Sequence, residues 1–274
     1  MIFHQYTLTN DPALNEILVA YLGRAGFDSF QETDAGLLAF APAEDHARWS
    51  RELEALGERF DFTFSHRQLE DKNWNEEWER QFQPLRIGDL LYIRADFHPP
   101  ATGTREELVI TPKMAFGTGH HPTTHMMCEL LFERDLNGLR VFDYGSGTGV
   151  LAILAKKLGA AEADAVDIES WSAENTLENA ERNGVELNRI THGTLADVPA
   201  GRPYDLILAN INRNVILATA GALLERLASG GTVLFSGILE ADEELLVGRL
   251  TALGFTHRET RKREDWRAFV FTRN

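Results

Sequence analysis

The stretch VFDYGSGTGVLAIL, Val141 to Leu154, decides how this chain is read. Two apolar runs enclose three glycines, Gly145, Gly147 and Gly149, that alternate with small polar residues. A turn so stripped of side chains lets the backbone bend sharply and lie close against a neighbour or a ligand. Working outward, LRVFD, VLAILAKKLG, ADAVDI, SAENTLENAERNG, RITHGT, YDLILANI, VILATAGALLERLASG and GTVLFSGIL alternate strand-like and helix-like segments. That rhythm predicts an α/β fold with a parallel, doubly wound sheet. Ligands of such sheets bind beyond the carboxyl ends of the strands, where the glycines fall.

Spacing narrows the ligand class. A dinucleotide fingerprint needs a small residue at its sixth position, where Val150 stands, and a P-loop needs Gly-Lys-Ser/Thr, which does not follow. Asp143, two residues before Gly145, is unfavourable beside a pyrophosphate and suits a cationic or amine-bearing ligand. DxGxGxG after an apolar strand resembles the motif of S-adenosylmethionine-dependent methyltransferases. That resemblance implies a Rossmann-like class I methyltransferase domain whose turn lies against methionine and ribose. Asp167 in AVDIES, 22 residues after Gly145, is placed to accept hydrogen bonds from ribose hydroxyls, with Glu169 as second candidate. Asn210 closes YDLILAN and is the candidate for orienting an amine, because methyltransferases that modify nitrogen often carry Asn or Asp there. Asn212 is weaker, since ANIN also reads as a turn.

Upstream, residues 1–69 read as a separate small domain. IFHQYTL is strand-like, and Asp11-Pro12 is an N-cap followed by Pro at the first helical position. Leu14, Ile17, Leu18, Tyr21 and Leu22 recur at helical spacing, and Gly23 and Gly26 close that helix. FDSFQET and GLLAFAP are two strands joined around Asp34, Ala35 and Gly36. AEDHARWSRELEALG is a helix with Ala47, Trp49, Leu53 and Leu56 as its buried positions, and FDFTFSHRQL is a strand. The order βαββαβ predicts a ferredoxin-like α+β unit. Phe27, Phe30, Phe60, Phe62 and Phe64 invite an RNA-binding reading. However, this segment carries 5 Lys/Arg against 11 Asp/Glu, so core packing and docking of a basic protein are favoured. Residues 70–83, with Trp74, Trp78 and Phe82 four apart, predict a helical linker that Pro84 ends. Residues 84–274 form the remaining domain.

The segment TPKMAFGTGHHPTTHMMCELL, Thr111 to Leu131, is the most specific signal. With NWNEEWERQFQPLRIGD, DYGSGTG, VDI and ANI in the same order, it resembles the ribosomal protein L11 methyltransferase family over nearly the whole chain. The resemblance implies a cytoplasmic enzyme that uses S-adenosylmethionine to methylate lysine side chains and the N-terminal α-amine of that large-subunit ribosomal protein, gripped by the N-terminal domain. The family's cofactor contacts map onto Thr124, Gly145, Asp167 and Asn210. Gly147, Asp143, Phe116 and Gly117 complete the candidate cofactor-binding set. Asn212 departs from the apolar residue many relatives carry. The MAFGTGHH loop is a candidate lid with Gly117 and Gly119 as hinges, Asn210 is the candidate for amine orientation, and no general base is identified. Two alternatives remain: a methyltransferase of the same fold acting on another protein or a small amine, and a non-catalytic ribosome-docking module.

Composition agrees with this reading. The chain has 274 residues and a formal net charge of −15, which disfavours nucleic-acid phosphates and favours basic partners. The single Cys128 excludes an internal disulfide. No apolar run suits a membrane span and the first residues lack a secretory signal, so a cytoplasmic monomer is expected. His120, His121, His125 and Cys128 have the spacing H-H-x3-H-x2-C, which matches no standard zinc site, so no metal is expected.

Overall fold

The computed structural model describes residues 3–33, 35–42, 46–68, 83–111 and 117–274. The chain divides into two compact units, Met1–Glu77 and Trp78–Asn274. The helix predicted over residues 70–83 lies outside the described residues apart from Gln83.

The first unit runs β1 (Phe3–Asn10), α1 (Asn15–Ala25), β2 (Ser29–Thr33), β3 (Gly36–Pro42), α2 (His46–Gly57) and β4 (Phe62–Gln68). Its sheet has the order β2-β3-β1-β4, antiparallel throughout, which is the ferredoxin-like arrangement. Asp11 caps a 3-10 turn at Pro12–Leu14 that leads into α1. Gly26, in the left-handed region, ends that helix, so Gly23 lies within it and not at its end. Tyr6, Leu8, Leu18, Leu22, Phe27, Trp49, Leu53 and Leu56 are core, and Phe30, Phe60, Phe62 and Phe64 pack against it. Ala47, expected to be buried, is exposed. It precedes Trp49 by two residues and so projects about 200° around the helix from it.

The second unit begins with a three-stranded sheet of β5 (Leu85–Ile87), β6 (Leu91–Arg94) and β7 (Glu106–Val109), in that order. Helix α3 (Pro122–Phe132) leads to the large sheet. The chain then runs β8 (Arg140–Tyr144), α4 (Val150–Lys157), β9 (Glu162–Asp167), α5 (Ser170–Arg182), β10 (Arg189–His192), β11 (Tyr204–Asn210), α6 (Arg213–Arg226) and β12 (Leu227–Leu239). It closes with α7 (Glu243–Leu253), β13 (Phe255–Arg263) and β14 (Trp266–Arg273). Strand order is β10-β9-β8-β11-β12-β14-β13. The first five are parallel, and β14 enters antiparallel between β12 and β13. Leu227 already pairs with Tyr204, so LASG, read as the end of a helix, belongs to β12.

Alternate residues of each central strand feed opposite cores. Leu206 and Leu208 of β11 join Val150, Leu151 and Leu154 of α4 and the buried face of α3. Ile207 and Ala209 join Ile216 and Leu223 of α6, Leu246 of α7, and Phe235, Phe255 and Phe271. Each large side chain buried this way contributes about 1.5–3 kcal/mol. At the amino ends of the strands, Arg140 pairs with Asp164 at 2.8 Å, and the Tyr204 hydroxyl donates to the same carboxylate at 2.7 Å. Polar groups there are consumed in holding strands together, and the carboxyl ends are left to form a site.

Candidate active site

The chain passes from β8 to β9 and β10 on one side of the sheet and to β11 and β12 on the other. A crevice opens at that switch point, beyond the carboxyl ends of β8 and β11. A cavity of about 600 Å³ occupies it, and its wall includes Gly145, Gly147, Asp167, Asn210, Trp171 and Trp266.

The glycine-rich turn is shaped by close neighbours. Gly145 has φ +83°, and a Cβ there would overlap Ile211 Cγ2. Gly149 has φ +78° and begins α4 where a Cβ would meet Thr176 Cα at 3.1 Å. The N–H groups of Gly145 and Ser146 donate to Val166 O at 2.9 and 3.1 Å. Helix α5 grips the turn from below: Thr176 Oγ1 donates to Gly147 O at 3.1 Å and Asn179 Nδ2 to Thr148 O at 2.9 Å. Thr148, Thr176 and Asn179 are fully buried, so their hydrogen bonds fix the bend where no water competes. The glycines thus answer to three neighbours of this chain, Ile211, Val166 and α5, before any ligand is considered.

Asp167 closes β9 and stands at the rim. Its Oδ2 accepts from Gly147 N at 2.8 Å and its Oδ1 from Glu169 N at 3.0 Å. One backbone donor on each oxygen leaves lone pairs that a pair of hydroxyls can use. Exposed Ile168 and Trp171 flank it and offer flat apolar surface on the cavity wall. Across the crevice, Asn210 Nδ2 donates to Thr124 Oγ1 at 3.1 Å, while Asn210 Oδ1 is buried with no hydrogen-bond partner among the described residues. A buried acceptor left without a donor beside a cavity has a free position that an N–H donor can fill. Asn212 caps α6, its side chain accepting from Val215 N at 3.1 Å. His121 caps α3, accepts from Thr123 N, and meets Trp266 edge-on at 4.6 Å between ring centres. Burial pushes the His121 pKa down, with Glu264 opposing, so the ring is neutral at pH 7.

The predicted residues fall into three groups. Gly145, Gly147, Asp167 and Asn210 come together on one cavity, and Thr124 stands one hydrogen bond behind Asn210. Asp143 does not reach the wall. It is buried under α4, its Oδ2 accepting from Ala152 N at 3.2 Å and its Oδ1 unpartnered among the described residues. Burial pushes its carboxyl up to about 7, the Ala152 hydrogen bond opposing and Asp167 adding. Gly117 also lies off the wall, its carbonyl accepting from Thr148 Oγ1 at 2.8 Å. Phe116 lies outside the described residues.

Several residues here went unread in the sequence. Trp266, His121, Trp171 and Ile211 line the cavity, and the buried Thr176 and Asn179 of α5, with the half-buried Asn183 at its C-cap, form a polar stripe. That stripe has a sequence signal, polar residues at i, i+3 and i+7 in NTLENAERN, as do the paired large apolar residues in VDIESW.

Among the described residues no helix is long and apolar enough to cross a membrane. Residues 24–274 match the family model described as ribosomal protein L11 methyltransferase (PrmA). The chain is 43% identical over 266 residues to the ribosomal protein L11 methyltransferase of Porphyromonas gingivalis, covering 94% of this chain and 90% of that protein. It is 38% identical over 275 residues to the protein of the same name from Chlorobaculum tepidum, covering 93% and 91%. The crystal structure of the ribosomal protein L11 methylase from Lactobacillus delbrueckii subsp. bulgaricus superposes with a TM-score of 0.64 at 29% identity, covering 70% of this chain and all of that one. A match spanning both units and every motif at the rim makes this chain a member of the ribosomal protein L11 methyltransferase family.

Proposed function

We propose that this chain transfers methyl groups from S-adenosylmethionine to amino groups of ribosomal protein L11, on lysine side chains and the N-terminal α-amine. The observation that carries the reading is the single cavity shared by Gly145, Gly147, Asp167 and Asn210. The residues present fit the cofactor. The bare turn at Gly145 and Gly147 allows close approach, Asp167 holds free acceptor positions for ribose hydroxyls, and Ile168 and Trp171 offer apolar surface for a base.

When bound, S-adenosylmethionine supplies an electrophilic sulfonium methyl group. The chain itself must deliver a neutral amine in line with it. A lysine with a pKa of about 10.4 is charged at pH 7, and entry past Trp266 and Ile211 strips water from the ammonium and favours its neutral form. Asn210 Oδ1 accepts the amine N–H and turns the nitrogen lone pair toward the cofactor side. His121 Nδ1 is already engaged by Thr123, so the amine proton passes to water. Asp143 serves the turn and not the ligand: its carboxyl holds the first turn of α4 through Ala152.

The N-terminal unit, with its net −6 over residues 1–69, grips the basic substrate, and the enzyme works as a cytoplasmic monomer. The test is incubation of the purified chain with ribosomal protein L11 and isotopically labelled cofactor, followed by peptide mass spectrometry. Labelled lysines and a labelled N-terminus are expected. Cofactor binding without any transfer to L11 would move the substrate elsewhere, and no cofactor binding at all would end the proposal.

A further inference from the structure

Three imidazoles meet in the N-terminal unit. In the β1–β4 pairing Tyr6 stands opposite His66, with His4 two residues along β1 on the same face. His46 opens α2 and stacks on His4, 4.5 Å between ring centres and 14° from parallel, and its ring is 4.1 Å from that of His66. One nitrogen from each ring lies within 4.8 Å of the others. A first-row transition ion about 2.0–2.1 Å from each nitrogen needs them about 3.3 Å apart. The exposed His66 and the half-buried His46 are the side chains with room to adjust to that spacing.

Two further observations point to an ion. His4 Nδ1 is buried and has no hydrogen-bond partner among the described residues, an unusual state for a ring nitrogen. The Tyr6 hydroxyl, on a fully buried side chain, stands 2.8 Å from His46 Nδ1. That bond engages Nδ1 and leaves Nε2 as the His46 nitrogen available to an ion, as outer hydrogen bonds do for metal-binding histidines. We propose that His4, His46 and His66 bind a divalent transition metal of the zinc, cobalt or nickel class, with water in the remaining position, and that the ion clamps β1, α2 and β4 together. Imidazole suits these ions, and three ligands leave a place open. The three residues are 42 and 20 positions apart, so no local spacing reveals them, and the expectation of no metal rested on the unrelated His120–Cys128 segment.

The test uses the untagged full chain, stripped with chelator. Cobalt is titrated with visible absorption as readout, and zinc by calorimetry and thermal unfolding. One equivalent bound at micromolar affinity or tighter is expected, with a cobalt band that zinc displaces and a zinc-dependent rise in the first thermal transition. His66→Ala removes an exposed ligand without touching the core and should weaken binding at least about tenfold. Tyr6→Phe keeps all three ligands and should weaken it about tenfold. Absence of both the cobalt band and the zinc-dependent thermal shift at millimolar metal overturns the proposal. Binding that persists unchanged in His66→Ala also overturns it, because the ion then lies elsewhere.

Discussion

Strands β8 and β9 lie side by side, run parallel, and each carries an aspartate near its carboxyl end. Asp143 pairs across the sheet with Ala165, so Asp167 lies two residues, about 6.6 Å, further toward the rim on the same face. That step changes the chemistry. Asp143 is buried under α4 with one oxygen unpartnered among the described residues, and Asp167 stands on the cavity wall with a backbone donor on each oxygen. The lesson is that depth in the sheet, and not position in a motif, decides whether a carboxylate is buried in the fold or presented to the cavity.

The largest effect that tests this contrast is on stability. Burial holds the Asp143 carboxyl at about 7 in the folded state, above its ordinary value of 3.8. The folded state therefore holds a proton that the unfolded chain releases, and stability falls as pH rises from about 4 to about 7, after which the full penalty is present. At 1.36 kcal/mol per unit the penalty reaches about 4 kcal/mol. Asp143→Asn should remove it: the drop in unfolding free energy between pH 5 and pH 8, measured by urea denaturation, should shrink by about 3 kcal/mol, because the part of the penalty that builds up below pH 5 lies outside that window. An unchanged pH profile would mean that Asp143 titrates normally and that the depth argument fails.

Next comes the turn that separates the two aspartates. Gly145→Ala forces a side chain into the left-handed region, at about 1–2 kcal/mol, and drives it into Ile211. A total loss of about 3 kcal/mol is expected, along with loss of cofactor affinity, because Ile211 and the turn both line the cavity. Full stability in this variant, judged by the same denaturation curve, would show that the bend has room the structure denies it.

The same contrast explains what could be read from the sequence. The alternation of apolar strands and helices, the glycine turn and the βαββαβ order were legible because local pattern dictates them. Asp167 and Asn210 could be placed on the cavity wall because they close their strands, where the crevice opens. Asp143 was misplaced because one sequence cannot give the register between two strands. The antiparallel β14 and its Trp266 were unread because long-range insertion of a strand leaves no periodicity behind. Ala47 was misassigned by a two-residue step, which crosses to the other side of a helix.

A third prediction addresses the rim itself. Asp167→Ala removes the proposed ribose acceptor and the partner of Gly147 N–H, so cofactor affinity should fall by about 1.5–3 kcal/mol, roughly ten- to a hundredfold. Calorimetric titration with the cofactor checks it. Asp167→Asn keeps one acceptor for Gly147 N–H and should lose less.

The smallest expected effect falls on Glu169, which lines the same cavity and competes with Asp167 for the ribose role. Its backbone N–H already donates to Asp167 Oδ1, so Glu169 supports the rim carboxylate through its main chain, whatever its side chain does. It also lies two residues beyond the end of β9, at the N-cap of α5, where its side chain makes no capping hydrogen bond. A carboxylate held by no backbone donor must be ordered when a ligand arrives, and that entropy offsets much of any hydrogen bond it makes. Glu169→Gln should therefore change cofactor affinity less than about threefold, well inside the loss from Asp167→Ala. If Glu169→Gln lost more than Asp167→Asn in the same titration, the ribose would belong to the exposed helix cap, and proximity to the strand's end would no longer separate a ligand carboxylate from a bystander.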